Sequence, residues 1–139
     1  MVRRIKSTVA NLLVALVIIS SLIPLTASAA RQVGSFTNFY VSISSLYENK
    51  ISQGLRKDVT GKRGVVNLNG SATGSPSYVS TMRNSEGAFR RSVTLRKGER
   101  ITFATPNALS NYLYWLHMRS SNATSATAAV SGSWSPDEN

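Results

Sequence analysis

Five cations, Arg90, Arg91, Arg96, Lys97 and Arg100, fall within eleven residues of a 139-residue chain. Guanidinium groups are planar forks that match phosphate and carboxylate oxygens two at a time. Such a cluster suits teichoic-acid phosphates or lipid headgroups. As a plain surface feature it supplies solubility and keeps sheet edges from pairing with one another. A second group is aromatic. The segment 111–122, NYLYWLHMRSSN, holds Tyr112, Tyr114 and Trp115 together with the only histidine, His117, and Trp134 follows near the C-terminus. An outward aromatic face stacks on sugars or sits at a membrane interface, whereas the same rings turned inward are core. If the segment is a site, Tyr112, Tyr114 and Trp115 are its ligand-binding candidates, with Trp134 nearby on the last strand.

Other chemistries find few residues to work with. The chain has no cysteine and one histidine, and its six acids are scattered. A transition-metal site needs clustered His, Cys, Asp or Glu, so none is expected. A Ser-His-Asp triad would have to use His117, with Asp58 as the one central aspartate. Glycoside hydrolysis needs two carboxylates flanking one bond. Glu48, Glu86 and Glu99 each sit among basic neighbours in expected turns. No glycine-rich phosphate loop of the P-loop or dinucleotide kind is present. The expectation is a non-enzyme without a cofactor.

The elements that would position these groups read as strands. FTNFYVSI (36–43), GVVNLN (64–69), SYVSTM (77–82), FRRSVTL (89–95), RITFAT (100–105), NYLYWLHM (111–118) and TAAVSGSW (127–134) are short and rich in β-branched and aromatic residues. Several alternate apolar with polar, and turn residues separate them. NGSATGSPS (69–77) reads as a loop. RKGE (96–99) reads as a tight hairpin turn with Gly98 left-handed, pairing 88–95 with 100–105 and gathering the cations at one end of a sheet. SSLYENKISQGLRKDV (44–59) is either a strand with a bulge or a short helix. About seven short antiparallel strands define an all-β, single-domain β-sandwich or small barrel. Residues 31–35 and 136–139 read as loose tails. On a strand, Tyr112, Tyr114, Leu116 and Met118 share one face, and Leu113, Trp115, His117 and Arg119 the other. Both faces are apolar at the centre. The strand is therefore either covered on both sides or presents an aromatic face outward.

The N-terminus reads as a helical signal peptide over 1–29. MVRRIK is basic, Leu12 to Ile23 is nearly unbroken apolar sequence, Pro24 closes it, and Ala27-Ser28-Ala29 gives the small-residue cleavage pattern. Cleavage is expected before Ala30, or one residue later. The alternative is a retained anchor, for which the run is short, since a spanning helix needs about 20 apolar residues. The exported domain is then 30–139. Its net charge is near +7, because loss of Arg3, Arg4 and Lys6 leaves 13 basic residues against 6 acidic ones. Excess positive charge favours anionic partners. Outside a cell these are wall polymers or membrane surfaces. Nucleic acid also suits basic charge with aromatics, but the export signal excludes it as a biological partner. Without disulfides, stability rests on packing or on a bound partner.

The closing AVSGSWSPDEN (129–139), with Asn111-Tyr112 upstream, resembles the ending of a family of small exported proteins from Bacillus-like bacteria whose function is unknown. Those chains pair a signal peptide with a cysteine-free domain of this size that closes on V-S-G-x-W, here Val130-Ser131-Gly132-x-Trp134. The resemblance implies Gram-positive export and a β domain, and it assigns no catalytic residue. Cysteine-free bacteriocins are similar in composition only.

The sequence thus predicts a secreted, non-enzymatic cell-surface or wall-associated binding protein. Its arginine hairpin would contact anionic polymer, and its aromatic strand sugar or lipid. The alternatives are a bacteriocin-like antimicrobial protein and a self-associating matrix protein.

Overall fold

The computed structural model describes residues 31–41, 47–51, 53–71, 77–122 and 128–138. The expected signal peptide and its cleavage residues Ala27, Ala29 and Ala30 lie outside these residues, as do residues 72–76 of the expected 69–77 loop, whose first three residues instead end β4. Nine antiparallel strands form two sheets, and no described residue is helical. The strands are β1 (Gly34–Val41), β2 (Asn49–Lys50), β3 (Leu55–Arg56), β4 (Gly64–Ser71), β5 (Tyr78–Asn84), β6 (Phe89–Leu95), β7 (Arg100–Phe103), β8 (Leu113–Ser120) and β9 (Ala128–Ser135). One sheet has the order β1-β9-β4-β7. The other has the order β2-β8-β5-β6, and β3 also pairs with β8. The all-β expectation therefore holds, and two separate sheets make the architecture a sandwich. The seven expected strands are present. The two extra ones, β2 and β3, are two-residue pieces lying end to end along β8. They resolve the ambiguous 44–59 stretch, where it is described, as an interrupted strand.

Alternation along the strands fills the space between the sheets. Tyr114, Leu116 and Met118 of β8 lie on the same inward face as Tyr78 and Met82 of the neighbouring β5, within one buried cluster. Leu68 of β4 and Val130 and Trp134 of β9 complete it from the other sheet. Each fully buried large apolar side chain contributes about 1.5–3 kcal/mol. The V-S-G-x-W spacing is a packing rule in this setting. Val130, Gly132 and Trp134 are alternate residues of β9, and all three are buried. Gly132 pairs with Phe36 on one side and Leu68 on the other. A β-carbon there would run into the Asn67 carbonyl and the Phe36 ring. Glycine lets the Phe36 ring lie across the strand.

Two expectations are corrected. RKGE is not a hairpin turn within one sheet. β6 pairs with β5 and β7 pairs with β4, so residues 96–99 carry the chain from one sheet to the other. Gly98 is left-handed, with φ of 84°. The corner is held by the Gly98 N–H donating to the Leu68 carbonyl and the Leu68 N–H donating to the Glu99 carbonyl. Nor are the termini loose where they are described. Gly34 and Ser35 belong to β1, and Pro136 and Asp137 are buried.

A buried ion pair explains the ordered C-terminal segment. Lys57 is fully buried, and its ammonium donates to the Lys62 carbonyl (2.7 Å), the Pro136 carbonyl (2.7 Å) and Asp137 Oδ1 (3.0 Å). The other Asp137 oxygen accepts the Asp58 N–H at 2.6 Å. Three donors meet three acceptors, so the charge is inside without an unmet proton.

Candidate functional site

The sandwich has a near end and a far end. The near end carries the start of β1, the turns at 57–63 and 84–88, the run 104–112 and the segment after β9. The far end carries the 96–99 corner. β6 and β7 are the outer strands of their sheets on the same side, so the arginine-bearing segment runs along one edge of the molecule. Arg91 is exposed toward the near end, and Arg96 and Lys97 are exposed at the far end. Arg96 lies five residue steps along the extended chain from Arg91, about 16 Å. The five cations are thus spread along an edge and are not the compact patch that a hairpin would have made.

Their surroundings differ. Arg90 is the extra residue of a bulge, because Met82 pairs with Arg91 and Arg83 with Phe89. Its guanidinium reaches the Phe89 carbonyl at 3.2 Å. Arg100 is 3.6 Å from Glu138, which Arg63 also approaches at 3.8 Å. Glu99 spends one carboxylate oxygen on the Arg96 N–H at 2.6 Å. Among the described residues, Arg91, Arg96 and Lys97 have no ion pair.

The aromatic candidates are divided by the strand. Tyr114 is core, 2 % exposed, and its hydroxyl accepts the Leu109 N–H at 2.8 Å. Trp134 is core as well, 1 % exposed. Burial takes both out of any surface site, because their rings already fill the space between the sheets. Tyr112 precedes β8 and is exposed. Trp115 faces outward and is half-buried. Gly54, in the interruption between β2 and β3, leaves room for its ring, and a β-carbon at that position would meet the indole at 2.5 Å. The Lys50 ammonium lies 4.4 Å from the ring centroid, a cation–π contact. The two faces of β8 differ. Its inward face is core, and its outward face is a half-covered row of Trp115, His117 and Arg119 with Leu113 exposed.

A polar cluster beside that row went unanticipated. Glu48 accepts the Thr81 hydroxyl at 2.7 Å and Arg83 Nε at 3.0 Å. His117 stands opposite Thr81 across the β5–β8 ladder. Burial pushes the Glu48 carboxyl up, but the Thr81 and Arg83 hydrogen bonds and the Arg83 charge outweigh it and leave the group below its ordinary 4.5. Burial holds His117 below its ordinary 6.5, and the charges of Arg83 and Lys50 add to this while Glu48 opposes it. His117 is accordingly a neutral imidazole at pH 7. Asp58 is engaged elsewhere, 3.4 Å from Arg56. Glu48 lies before β2 and Thr81 on β5, 33 residues apart, a separation that no local motif could have flagged.

At the near end a cleft of about 410 Å³ opens between the 60–61 turn, Arg91 and the run 104–109. Arg91 is its one charged wall. No family model, curated protein or solved structure matches this chain.

Proposed function

We propose that the protein is exported and serves as a non-enzymatic binding protein at a bacterial surface, holding anionic wall polymer along its β6–β7 edge. The observation that carries this reading is the row of Arg91, Arg96 and Lys97, exposed and without an ion pair among the described residues, along about 16 Å of extended chain. Spaced cations suit a polymer with repeating phosphates better than one small anion, because each repeat meets its own donor. The basic start, apolar run and Ala27-Ser28-Ala29 pattern support export. The V-S-G-x-W ending supports kinship with the small exported Bacillus-type proteins. The antimicrobial alternative rests on composition alone, and the matrix alternative on self-association through sheet edges.

The test is retention on isolated Gram-positive walls across a salt series. Arg96→Gln with Lys97→Gln should weaken retention at least about tenfold, at about 1 kcal/mol for each cation near an anionic surface. Added salt should erase the difference. Retention equal to the parent at low salt would remove the edge from the function.

A further inference from the structure

The described residues include eight large apolar side chains that are exposed, and six of them lie at the near end. Val59 (50 %), Leu109 (50 %), Tyr112 (59 %) and Leu113 (48 %) form one group. Their loops are tied together. Thr60 Oγ1 accepts the Ser110 N–H at 2.9 Å, the Asn111 N–H donates to the Lys57 carbonyl, and the Lys57 N–H donates to the Tyr112 carbonyl. The apolar tips are therefore held by backbone bonds in fixed positions. Val33 and Phe89 flank the group.

Unpaired charge at this end is predominantly positive. Lys62 and Arg91 are exposed cations without an ion pair among the described residues. Asp58 is engaged by Arg56, and Glu138 by Arg63. Glu86, in the 84–88 turn, is exposed and has no cationic partner among the described residues, and it sits at the margin, on the outermost hairpin. The Arg91 cleft, about 410 Å³, opens between the 60–61 turn and Leu109. Its size falls within the range of small-molecule sites.

We infer that the near end docks onto an anionic lipid bilayer, with the apolar tips in the interface and a headgroup phosphate at Arg91. Two tied loops present Val59, Leu109 and Tyr112, with Leu113 at the start of β8 and the cations Lys62 and Arg91 beside them. A fluid interface accepts that pattern, because apolar groups bury shallowly while cations meet headgroups. A tyrosine at the rim fits the same interface, with an apolar ring and a polar hydroxyl. A protein partner would need one continuous complementary patch of about 800 Å². The site shares Arg91 with the near end of the wall-binding row, whose Arg96 and Lys97 lie at the far end.

The test is flotation of the purified protein with phosphatidylglycerol-containing vesicles and with vesicles of phosphatidylcholine alone. Strong binding to the first and weak binding to the second is expected. Leu109→Asp with Leu113→Asp should reduce binding at least about tenfold, and Arg91→Gln about fivefold, while retention on walls stays at the parent level for the leucine pair. Both leucines are exposed, and an unchanged melting temperature will establish that the variant is folded. If it melts early, Val59→Ser supplies the same test. Arg96→Gln with Lys97→Gln should leave flotation unchanged, so a failure of the wall reading does not count against this one. Parent-like flotation of the leucine variant, equal binding to both vesicles, or no binding to either would overturn the proposal. Full displacement by soluble teichoic acid at the parent's wall affinity would also overturn it, by reassigning Arg91 to the polymer.

Discussion

At the scale of single residues, the most consequential side chain is one that no composition argument selects. Lys57 carries a charge into a site with no exposure and finds an acceptor for each of its three protons. Replacing it with methionine leaves the Asp137 carboxylate inside without its counter-ion. Removal of one partner of a buried pair costs about 3–5 kcal/mol. Lys57→Met should lower the denaturant midpoint accordingly, with little change in slope. A loss under about 1 kcal/mol would mean that water reaches the pair. The sequence shows a lysine beside an aspartate at 57–58 and a second aspartate 80 residues on. Which aspartate takes the lysine depends on where β9 ends relative to the 57–62 turn. The same limit hid the Glu48–Thr81–Arg83 cluster, whose members are far apart in the chain.

At the scale of elements, period-2 alternation made the strands legible. The inward set of β8 is Tyr114, Leu116 and Met118, as alternation requires. What alternation leaves open is whether the outer face is covered, and β2 and β3 decide that by laying Lys50 and Gly54 against Trp115. Both are two-residue strands, too short to carry a pattern. The closing motif yields a prediction at this scale. Gly132→Ala forces a methyl against the Phe36 ring and the neighbouring carbonyl, an overpacking defect of about 3 kcal/mol. A melting curve should show it, and Phe36→Leu in the same chain should recover part of the loss by opening space. No recovery would place the clash in the backbone alone.

At the scale of the whole molecule, the sandwich has free edges that could pair with other copies, and each is blunted. β1 carries a bulge between Phe36 and Phe39, with Asn38 at φ of 50°. β6 carries a bulge at Arg90, and β7 is only four residues long. Bulges and charged edge residues discourage edge-to-edge pairing. Sedimentation should therefore show a monomer at all accessible concentrations. Concentration-dependent oligomers would revive the matrix alternative.

Composition, alternation and turn residues by themselves determined an all-β domain, the position of its main strands, the left-handed glycine at 98 and a basic character suited to anionic partners. These are local or summed properties, and a chain carries them wherever it is folded. Tertiary structure decided the rest. It sent β6 and β7 to different sheets and drew the arginines out along an edge. It turned Tyr114 and Trp134 inward, and it gathered Val59, Leu109, Tyr112 and Leu113 at one end. Each of these outcomes depends on which strands become neighbours. That choice is fixed by burying the whole set of apolar faces at once, and no short window of sequence contains it.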